Sequence, residues 1–256
     1  MEKNKEITRR DAIKTMGAAA AVVATGAVGV DAIAAETSGG ANSAPADSLK
    51  LKVLLINGSP RPKGNTFTML SEIAAQLEKN GIASEIVQIG TKPVRGCIAC
   101  GQCGMKRLGK CVFDDDICNQ MIAKMAESDG LIVGSPVYYG TPNGTVLSLL
   151  HRMGYSASSV MQGKPAAGIT VCRRGGGTAA FQTLQMPFQM LNMPIVTSQY
   201  WNIAYGSGPG EVSQDIEGLQ TMRTLADNMA YMLKQFASGN AKEPQREPWI
   251  TTNFIR

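Results

Sequence analysis

The sequence has little of several residue types on which whole classes of protein depend. Only one of its 256 residues is a histidine, and only 5% are aromatic. A histidine-rich metal centre and an aromatic platform for stacked bases are therefore not indicated. Charged residues make up 18%, the net charge is only +5, and the basic residues are not clustered in a run. Nucleic acid is accordingly not expected as a partner.

The N-terminus has the features of an export signal. Two adjacent arginines, Arg9 and Arg10, precede an apolar run over 16–30 that ends in a small-residue step of the kind a signal peptidase reads. We predict a twin-arginine signal peptide over 1–34 and a linker over 35–50, with a periplasmic or other extracytoplasmic destination. A membrane anchor formed by an uncleaved signal is the alternative, although the run is short for a permanent span.

After the linker, strand and helix patterns alternate. Short apolar runs predict five strands, at 51–57, 82–89, 130–136, 166–172 and 194–198. Amphipathic segments predict helices at 66–80, 114–127, 145–153, 178–191 and 212–236, the fourth of them kinked or divided by Pro187. This order predicts an α/β domain over 51–238, with a doubly wound five-stranded parallel sheet and helices on both faces. A cysteine-rich insertion occupies 91–112, and 239–256 form a tail.

Three glycine-rich loops follow the first, third and fourth predicted strands, at the carboxyl edge where open α/β sheets bind ligands. The loop 58–66 matches neither GxxxxGK[ST] nor GxGxxG, and its small residues before a helix fit a monophosphate. In 135–144, Tyr138 and Tyr139 can cover a flat ring or pack on the surface. The triple glycine in 172–177 indicates close approach to its backbone, with a flexible surface loop as the alternative.

Four of the six cysteines fall within fifteen residues, as CxxCxxC over 97–103 followed by Cys111. Thiolates crowded on one loop are typical of an iron–sulfur cluster or of zinc. Because the twin-arginine route carries folded proteins with their cofactors already inserted, the cysteines need not form a disulfide framework in an oxidising compartment. Free or disulfide-paired cysteines stay open as an alternative. Cys118 and Cys172 fit packed core thiols better than ligands.

The motif order GSPR…GNT, CxxCxxC…C, SPVYYG and CRRGGG resembles the NADPH-dependent FMN reductase family, more narrowly its iron–sulfur flavoprotein branch, over about 51–237. The resemblance implies a flavodoxin-like fold, bound FMN, a [4Fe–4S] cluster, NAD(P)H as a donor, and a homo-oligomer, either dimer or tetramer. The FMN ligands that it implies are Ser59, Arg61, Asn65 and Thr66, then Pro136, Val137, Tyr138, Tyr139 and Gly140, and finally Arg173, Gly175 and Gly176. The cluster ligands that it implies are Cys97, Cys100, Cys103 and Cys111.

We therefore expect an FMN-dependent oxidoreductase that passes electrons from NAD(P)H or a redox protein partner to a small organic acceptor of quinone, nitro, azo or enone type. Export favours the redox partner, because soluble NAD(P)H is scarce outside the cytoplasm. Two alternatives remain: an electron-transfer flavoprotein without a substrate of its own, and a flavodoxin-like protein with a structural zinc. The sequence assigns no catalytic residue.

Overall fold

The computed structural model of the chain describes residues 51–240, 244, 247–248 and 250–252. The predicted signal peptide and linker lie outside the described residues, as does much of the predicted tail. Across the part that is described, no helix is both long enough and apolar enough to cross a bilayer.

The described chain alternates strands and helices in the predicted order. The strands are β1 (Lys52–Asn57), β2 (Ala83–Gln88), β3 (Gly130–Tyr138), β4 (Thr141–Pro142), β5 (Ala166–Cys172) and β6 (Ile203–Tyr205). The helices are α1 (Asn65–Lys79), α2 (Gln102–Met105), α3 (Cys118–Ala126), α4 (Gly144–Ala157), α5 (Gly177–Met190) and α6 (Ile216–Ala237).

Five strands form a parallel sheet in the order β2-β1-β3-β5-β6, and the two-residue β4 pairs antiparallel with the end of β3. The chain winds outward from β1 to β2 and then crosses to β3 on the other side. The point where the winding direction reverses therefore lies between the carboxyl ends of β1 and β3, where ligands bind in sheets of this kind. The predicted doubly wound parallel sheet is confirmed.

Helices cover both faces of the sheet, as the strand pattern requires. Successive residues of β1 point to opposite faces. Val53 and Leu55 belong to the core beneath α1 and α6, whereas Leu54 and Ile56 belong to the core beneath α3, α4 and α5. Both faces of β1 are therefore buried, which explains why the strand reads as one apolar run rather than as an alternation.

The predicted strand at 194–198 is wrong. That segment makes a single bridge, between Ile195 and Ala166 at the start of β5, and the regular strand β6 forms later in the chain, opposite the end of β5. Between the two, the chain turns away from the sheet where the Ser198 hydroxyl bonds the Tyr200 carbonyl and the Asn202 side chain. The fifth strand is therefore displaced to Ile203–Tyr205.

Three helices also differ from their predictions, two in where they begin and one in its continuity. The helix expected from residue 114 begins at Cys118, because the Asp116 carboxylate accepts the Cys118 N–H at 3.0 Å and holds the preceding residues out of the helix. Helix α5 is not divided at Pro187, since Leu184 and Phe188 on either side are buried in the same core. The last helix begins at Ile216 after a separate short turn and is capped by the Asp215 carboxylate.

Candidate functional site

The loop after β1 is fixed by a small buried network of polar groups. Ser59 is buried, its N–H donates to Asn57 Oδ1 at 3.1 Å, and its hydroxyl accepts the Arg61 N–H at 3.1 Å. Gln88 on β2 donates to the Ser59 carbonyl at 2.5 Å. The Arg61 side chain is exposed. The loop therefore has a set backbone shape and a free cationic side chain, which suits an anionic ligand.

Helix α1 begins at the end of this loop without a side chain that caps it. Its first backbone N–H groups consequently lack the partner that a cap would supply, and the helix dipole favours an anion there. Asn65 donates through Nδ2 to the Gly208 carbonyl at 3.0 Å, and its Oδ1 is buried with no hydrogen-bond partner. Thr66 is buried. The uncapped N-terminus of α1 suits a phosphate group, and the unpartnered Asn65 Oδ1 beside it suits a hydroxyl donor on the same ligand.

The second loop is a tight hairpin between β3 and β4. Its two central residues, Tyr139 and Gly140, have φ of +51° and +79°, which is the backbone pattern of a two-residue turn matched to the twist of the strands. Tyr139 is fully exposed at the tip and Tyr138 is partly exposed, whereas Pro136 and Val137 are half-buried. The loop thus presents aromatic surface rather than burying it.

The loop after β5 packs directly against this hairpin. Gly176 has φ of +85°, and a Cβ atom there would lie only 2.9 Å from the Gly140 Cα. Arg173 and Gly175 are exposed, and Gly175 has open space around it. Close contact between two backbones explains the triple glycine, so the alternative of an unconstrained surface loop does not hold for Gly176.

Hydrogen bonds between the loops hold them together at one edge of the sheet. The Gly58 N–H donates to the Gly134 carbonyl at 2.7 Å, and Asn143 Nδ2 donates to the Gly58 carbonyl at 2.8 Å. Asn143 also caps α4 by accepting the Thr145 N–H at 3.1 Å. All twelve FMN-ligand candidates named from the sequence therefore lie at the carboxyl edge of the sheet or just beyond it. Their roles as ligands stay predictions.

Sequence reasoning missed a fourth loop at the same edge. Residues 206–211 follow β6, the Gly206 N–H donates to the Cys172 carbonyl at 3.0 Å, and Gly208 holds Asn65. The Glu211 carboxylate accepts the N–H groups of Gly208 and Ser207, each at 2.7 Å, and these bonds hold its pKa below the ordinary value. The run Gly-Ser-Gly-Pro-Gly over 206–210 is the sequence signal for this loop, but it follows no predicted strand, since the last strand is predicted at 194–198.

The cysteine loop forms a second candidate site. Its four clustered cysteines line one small recess of about 20 Å³, partly open to solvent, together with Arg152 and Tyr155 of α4. All six cysteines of the chain lie within the described residues and are free thiols, so disulfide pairing does not occur here. Among the described residues, no group of three or more histidine, cysteine, aspartate or glutamate side chains is arranged so that it could bind one metal ion.

The other two cysteines are set apart by burial. Cys118 is fully buried in α3, and burial raises the pKa of its thiol to about 12. Burial likewise raises the pKa of Cys172 at the end of β5. Neither thiol readily gives the thiolate that a metal needs. Both agree with the prediction that they are packed core residues.

A buried ion pair holds together the two ends of the cysteine loop, at Arg95 and at 113–116, which we call its neck. Arg152 and Asp116 contact each other, and their side chains are only 1% and 5% exposed. Asp116 also accepts the Arg95 N–H at 3.0 Å. Burial by itself would raise the pKa of Asp116, but the N–H groups of Cys118 and Arg95 and the Arg152 guanidinium outweigh it and hold that pKa below its ordinary value. The carboxylate is therefore ionised in the folded protein.

A parallel sheet in the order β2-β1-β3-β5-β6, with a phosphate-type loop at the reversal point and further loops beside it, defines a flavodoxin-like α/β protein. The sequence profile of the NADPH-dependent FMN reductase family matches residues 51–208. The chain belongs to that family.

Relatives of the chain narrow the placement within the family. An iron–sulfur flavoprotein of Methanocaldococcus jannaschii is 33% identical over 194 residues, which cover 72% of this chain and 98% of the relative. An iron–sulfur flavoprotein of Archaeoglobus fulgidus is 30% identical over 207 residues, covering 75% and 100%. The predicted resemblance to the iron–sulfur flavoprotein branch is thereby confirmed.

Among solved structures, the fold is similar to that of the flavodoxin, WrbA-like protein from Agrobacterium tumefaciens. The TM-score is 0.51 at 17% identity, with 73% of this chain and 98% of that chain covered. Identity at this level speaks for the fold alone, and the flavodoxin-like prediction is confirmed.

Proposed function

We propose that the chain is an electron-transferring flavoprotein that binds FMN at the carboxyl edge of the sheet and a [4Fe–4S] cluster in the cysteine recess. One observation carries the proposal: helix α4 joins the two sites. Its capping residue, Asn143, bonds the phosphate-type loop, while its later residues Arg152 and Tyr155 line the recess. Arg152 follows Asn143 by nine positions, roughly 14 Å along the helix axis.

The uncapped start of α1 with Ser59, Arg61 and Thr66 would hold the FMN phosphate, and the unpartnered Asn65 Oδ1 would accept a hydrogen bond from a hydroxyl of the ribityl chain. Pro136–Gly140 and Arg173–Gly176 would line the ring system. FMN would supply the chemistry of accepting and donating electrons singly or in pairs. The residues of the chain would orient it, and the positive charge of Arg173 would favour its anionic reduced form.

The cluster is held by Cys97, Cys100, Cys103 and Cys111, and it supplies one-electron exchange. The relatives favour this group over zinc, because two that match over almost their full length are named iron–sulfur flavoproteins. A single zinc ion requires four sulfurs about 2.3 Å from one centre, whereas a cluster binds each cysteine to a different iron. Four thiols on one loop supply ligands of the number and softness that the cluster needs.

The electron acceptor is a small organic molecule of quinone, nitro, azo or enone type that reaches the flavin from solvent. The exposed Tyr138 and Tyr139 beside an open Gly175 leave such an approach free. The chain acts as a homo-oligomer, dimer or tetramer. No side chain at the edge selects one acceptor class.

The electron donor is a redox protein partner outside the cytoplasm rather than NAD(P)H. The predicted twin-arginine signal motivates this part of the proposal, since export removes the chain from soluble nicotinamide. Signal and cysteine cluster on one chain are consistent with cofactor insertion before export.

Stopped-flow reduction of the flavin tests the donor assignment. The chain with all four cysteines of the recess changed to serine should keep FMN but lose rapid reduction by a one-electron donor protein such as a reduced ferredoxin. Its reduction by NADPH should be slow, as in the wild type. Rapid reduction of that variant by NADPH alone contradicts the proposal.

A second candidate function is electron transfer with no substrate of its own. The exposure of the hairpin tip favours it, because an open flavin edge suits a protein surface as well as a small molecule. Steady-state turnover with quinone, nitro, azo and enone acceptors separates the two. Absent turnover, combined with fast exchange with a redox protein, supports the second candidate.

A further inference from the structure

Arg152 is an unusual residue in its setting. It lies on α4 among apolar residues that face the core, it is 2% exposed, and it ranks among the largest fully buried side chains of the described residues. A buried guanidinium is costly unless charge and hydrogen bonds compensate it. Its partners therefore indicate what it does.

Those partners join the two ends of the cysteine loop. Arg152 Nη1 donates to the Arg95 carbonyl at 3.2 Å and contacts Asp116, while Nη2 donates to the Phe113 carbonyl at 3.2 Å. The Arg95 guanidinium in turn stacks over the Phe113 ring at 4.5 Å from its centroid. Residues 96–112 project between these two ends. One side chain thus closes the neck of the loop.

The third nitrogen of the guanidinium is left over. Arg152 Nε is buried and has no hydrogen-bond partner, and the residue borders the recess that the four cysteines line. A guanidinium stays protonated in proteins, and the adjacent Asp116 carboxylate stabilises its charge. A permanent positive charge with an unused donor therefore lies beside the ligand set.

Resting on the proposed function, we propose that Arg152 is a positioning residue that fixes the neck of the cysteine loop and raises the reduction potential of the cluster held there. Four thiolates give such a cluster a net negative charge, which grows by one unit when the donor protein delivers an electron. A nearby positive charge stabilises the reduced form more than the oxidised one. A hydrogen bond to a ligating sulfur acts in the same direction.

The test is a redox titration of the full chain, loaded with iron and sulfide under anaerobic conditions and monitored by electron paramagnetic resonance. Removing Arg152 alone would strand the buried Asp116 charge, so the comparison is between Asp116→Asn and the double variant Arg152→Met/Asp116→Asn. The double variant should favour the oxidised cluster about tenfold more than the single, a shift of about 59 mV to lower potential for one electron. Asp116→Asn alone should move the potential upward from wild type.

A role in folding alone predicts something different. In that case both variants loosen the neck, both potentials move the same way, and the double variant equals the single; this result overturns the inference. Should the double variant retain no iron, Arg152→Lys decides, since it keeps the charge and loses the planar fork. It should hold iron at a potential near that of the wild type, and loss of iron there also overturns the inference. A wild-type chain that takes up no iron contradicts the proposed function itself.

Discussion

The proposed flavin site and the cysteine loop are built in different ways. We call the first of them the flavin edge, and it consists of the four loops that follow β1, β3, β5 and β6. At the flavin edge, backbone groups of neighbouring strands fix one another, as in the bond from the Gly58 N–H to the Gly134 carbonyl at 2.7 Å. In the cysteine loop, Cys97 and Cys100 are exposed, and regular structure is limited to the four residues of α2. The loop is secured mainly at its neck. The fold therefore supplies the first site, whereas the second depends on one ion pair and on what its cysteines bind.

The largest effect should come from the cysteines. Changing Cys97, Cys100, Cys103 or Cys111 singly to serine should abolish stable iron binding, because serine does not replace a thiolate toward a soft metal. FMN content should stay the same, since the flavin edge shares no side chain with the recess. Iron and flavin analysis of the purified variants measures both.

Cys118→Ala is the matched control for the cysteine variants. It removes a buried thiol outside the recess and should leave the iron content unchanged, with a modest loss of stability. Loss of FMN together with iron in the serine variants would show that the two sites are not independent.

The neck should be the next most sensitive point. Asp116→Asn leaves Arg152 buried without its counter-charge and should cost about 3 kcal/mol of unfolding free energy. Because the folded pKa of Asp116 is depressed, its contribution is present above the unfolded pKa and is lost as pH falls through the folded value. The difference between variant and wild type should thus be full at neutral pH and shrink below about pH 4.

Its neighbour Asp115 provides the control for the neck. The Arg95–Asp115 pair spans 2.6 Å but is largely exposed, at 41% and 57%. Asp115→Asn should change the unfolding free energy by less than about 1 kcal/mol. Urea denaturation measures both unfolding free energies. Equal losses for Asp115→Asn and Asp116→Asn would contradict the stabilisation of the neck by its buried ion pair.

A smaller change should weaken the flavin edge. A Cβ at Gly58 would lie 2.7 Å from the Gly134 carbonyl oxygen, so Gly58→Ala must push two strand ends apart. FMN affinity should fall about tenfold, or about 1.4 kcal/mol. Gly144→Ala, where a Cβ meets no heavy atom within 4 Å, should leave the affinity unchanged. Fluorescence titration of apoprotein with FMN measures both, and unaltered binding by Gly58→Ala would count against this geometry.

Loss of the single hydrogen bond that links the two sites should have the smallest effect. Asn143→Ser keeps an oxygen that can cap α4 through the Thr145 N–H but loses the amide that bonds the Gly58 carbonyl. Its unfolding free energy should drop by about 1 kcal/mol, and that of Asn143→Ala, which loses both, by about 2 kcal/mol. If serine destabilises as much as alanine, the bond to Gly58 rather than the cap carries the effect.

The sequence predicted most of the flavin edge because its signals are local. A buried apolar run that leads into a segment rich in glycine, serine and proline indicates a strand followed by a loop wherever the strand pairs, and this signal predicts three of the four loops. The fourth was missed because Ile203–Tyr205 is too short for a pattern, and its pairing is decided by β5. The sequence therefore predicts the loops at the carboxyl edge of the sheet except the one at 206–211.

The cysteine site was predictable only in its ligand candidates. The spacing of the four thiols is visible in the sequence, but the burial of Arg152 is not, since an arginine on a helix normally faces solvent. Only the fold brings Arg95, Phe113 and Asp116 around it, from a segment more than 30 residues away in the chain. Long-range polar contacts of this kind leave no periodic pattern to read.

In the proposed function, one chain holds both FMN and an iron–sulfur cluster. The metal and flavin content of the chain purified without oxygen, together with its visible spectrum, tests this proposal. We expect about one FMN and about four irons per chain, with flavin bands over a broad cluster absorption. Bound FMN with zinc and no iron would contradict it, and would make the cysteine loop a structural zinc site.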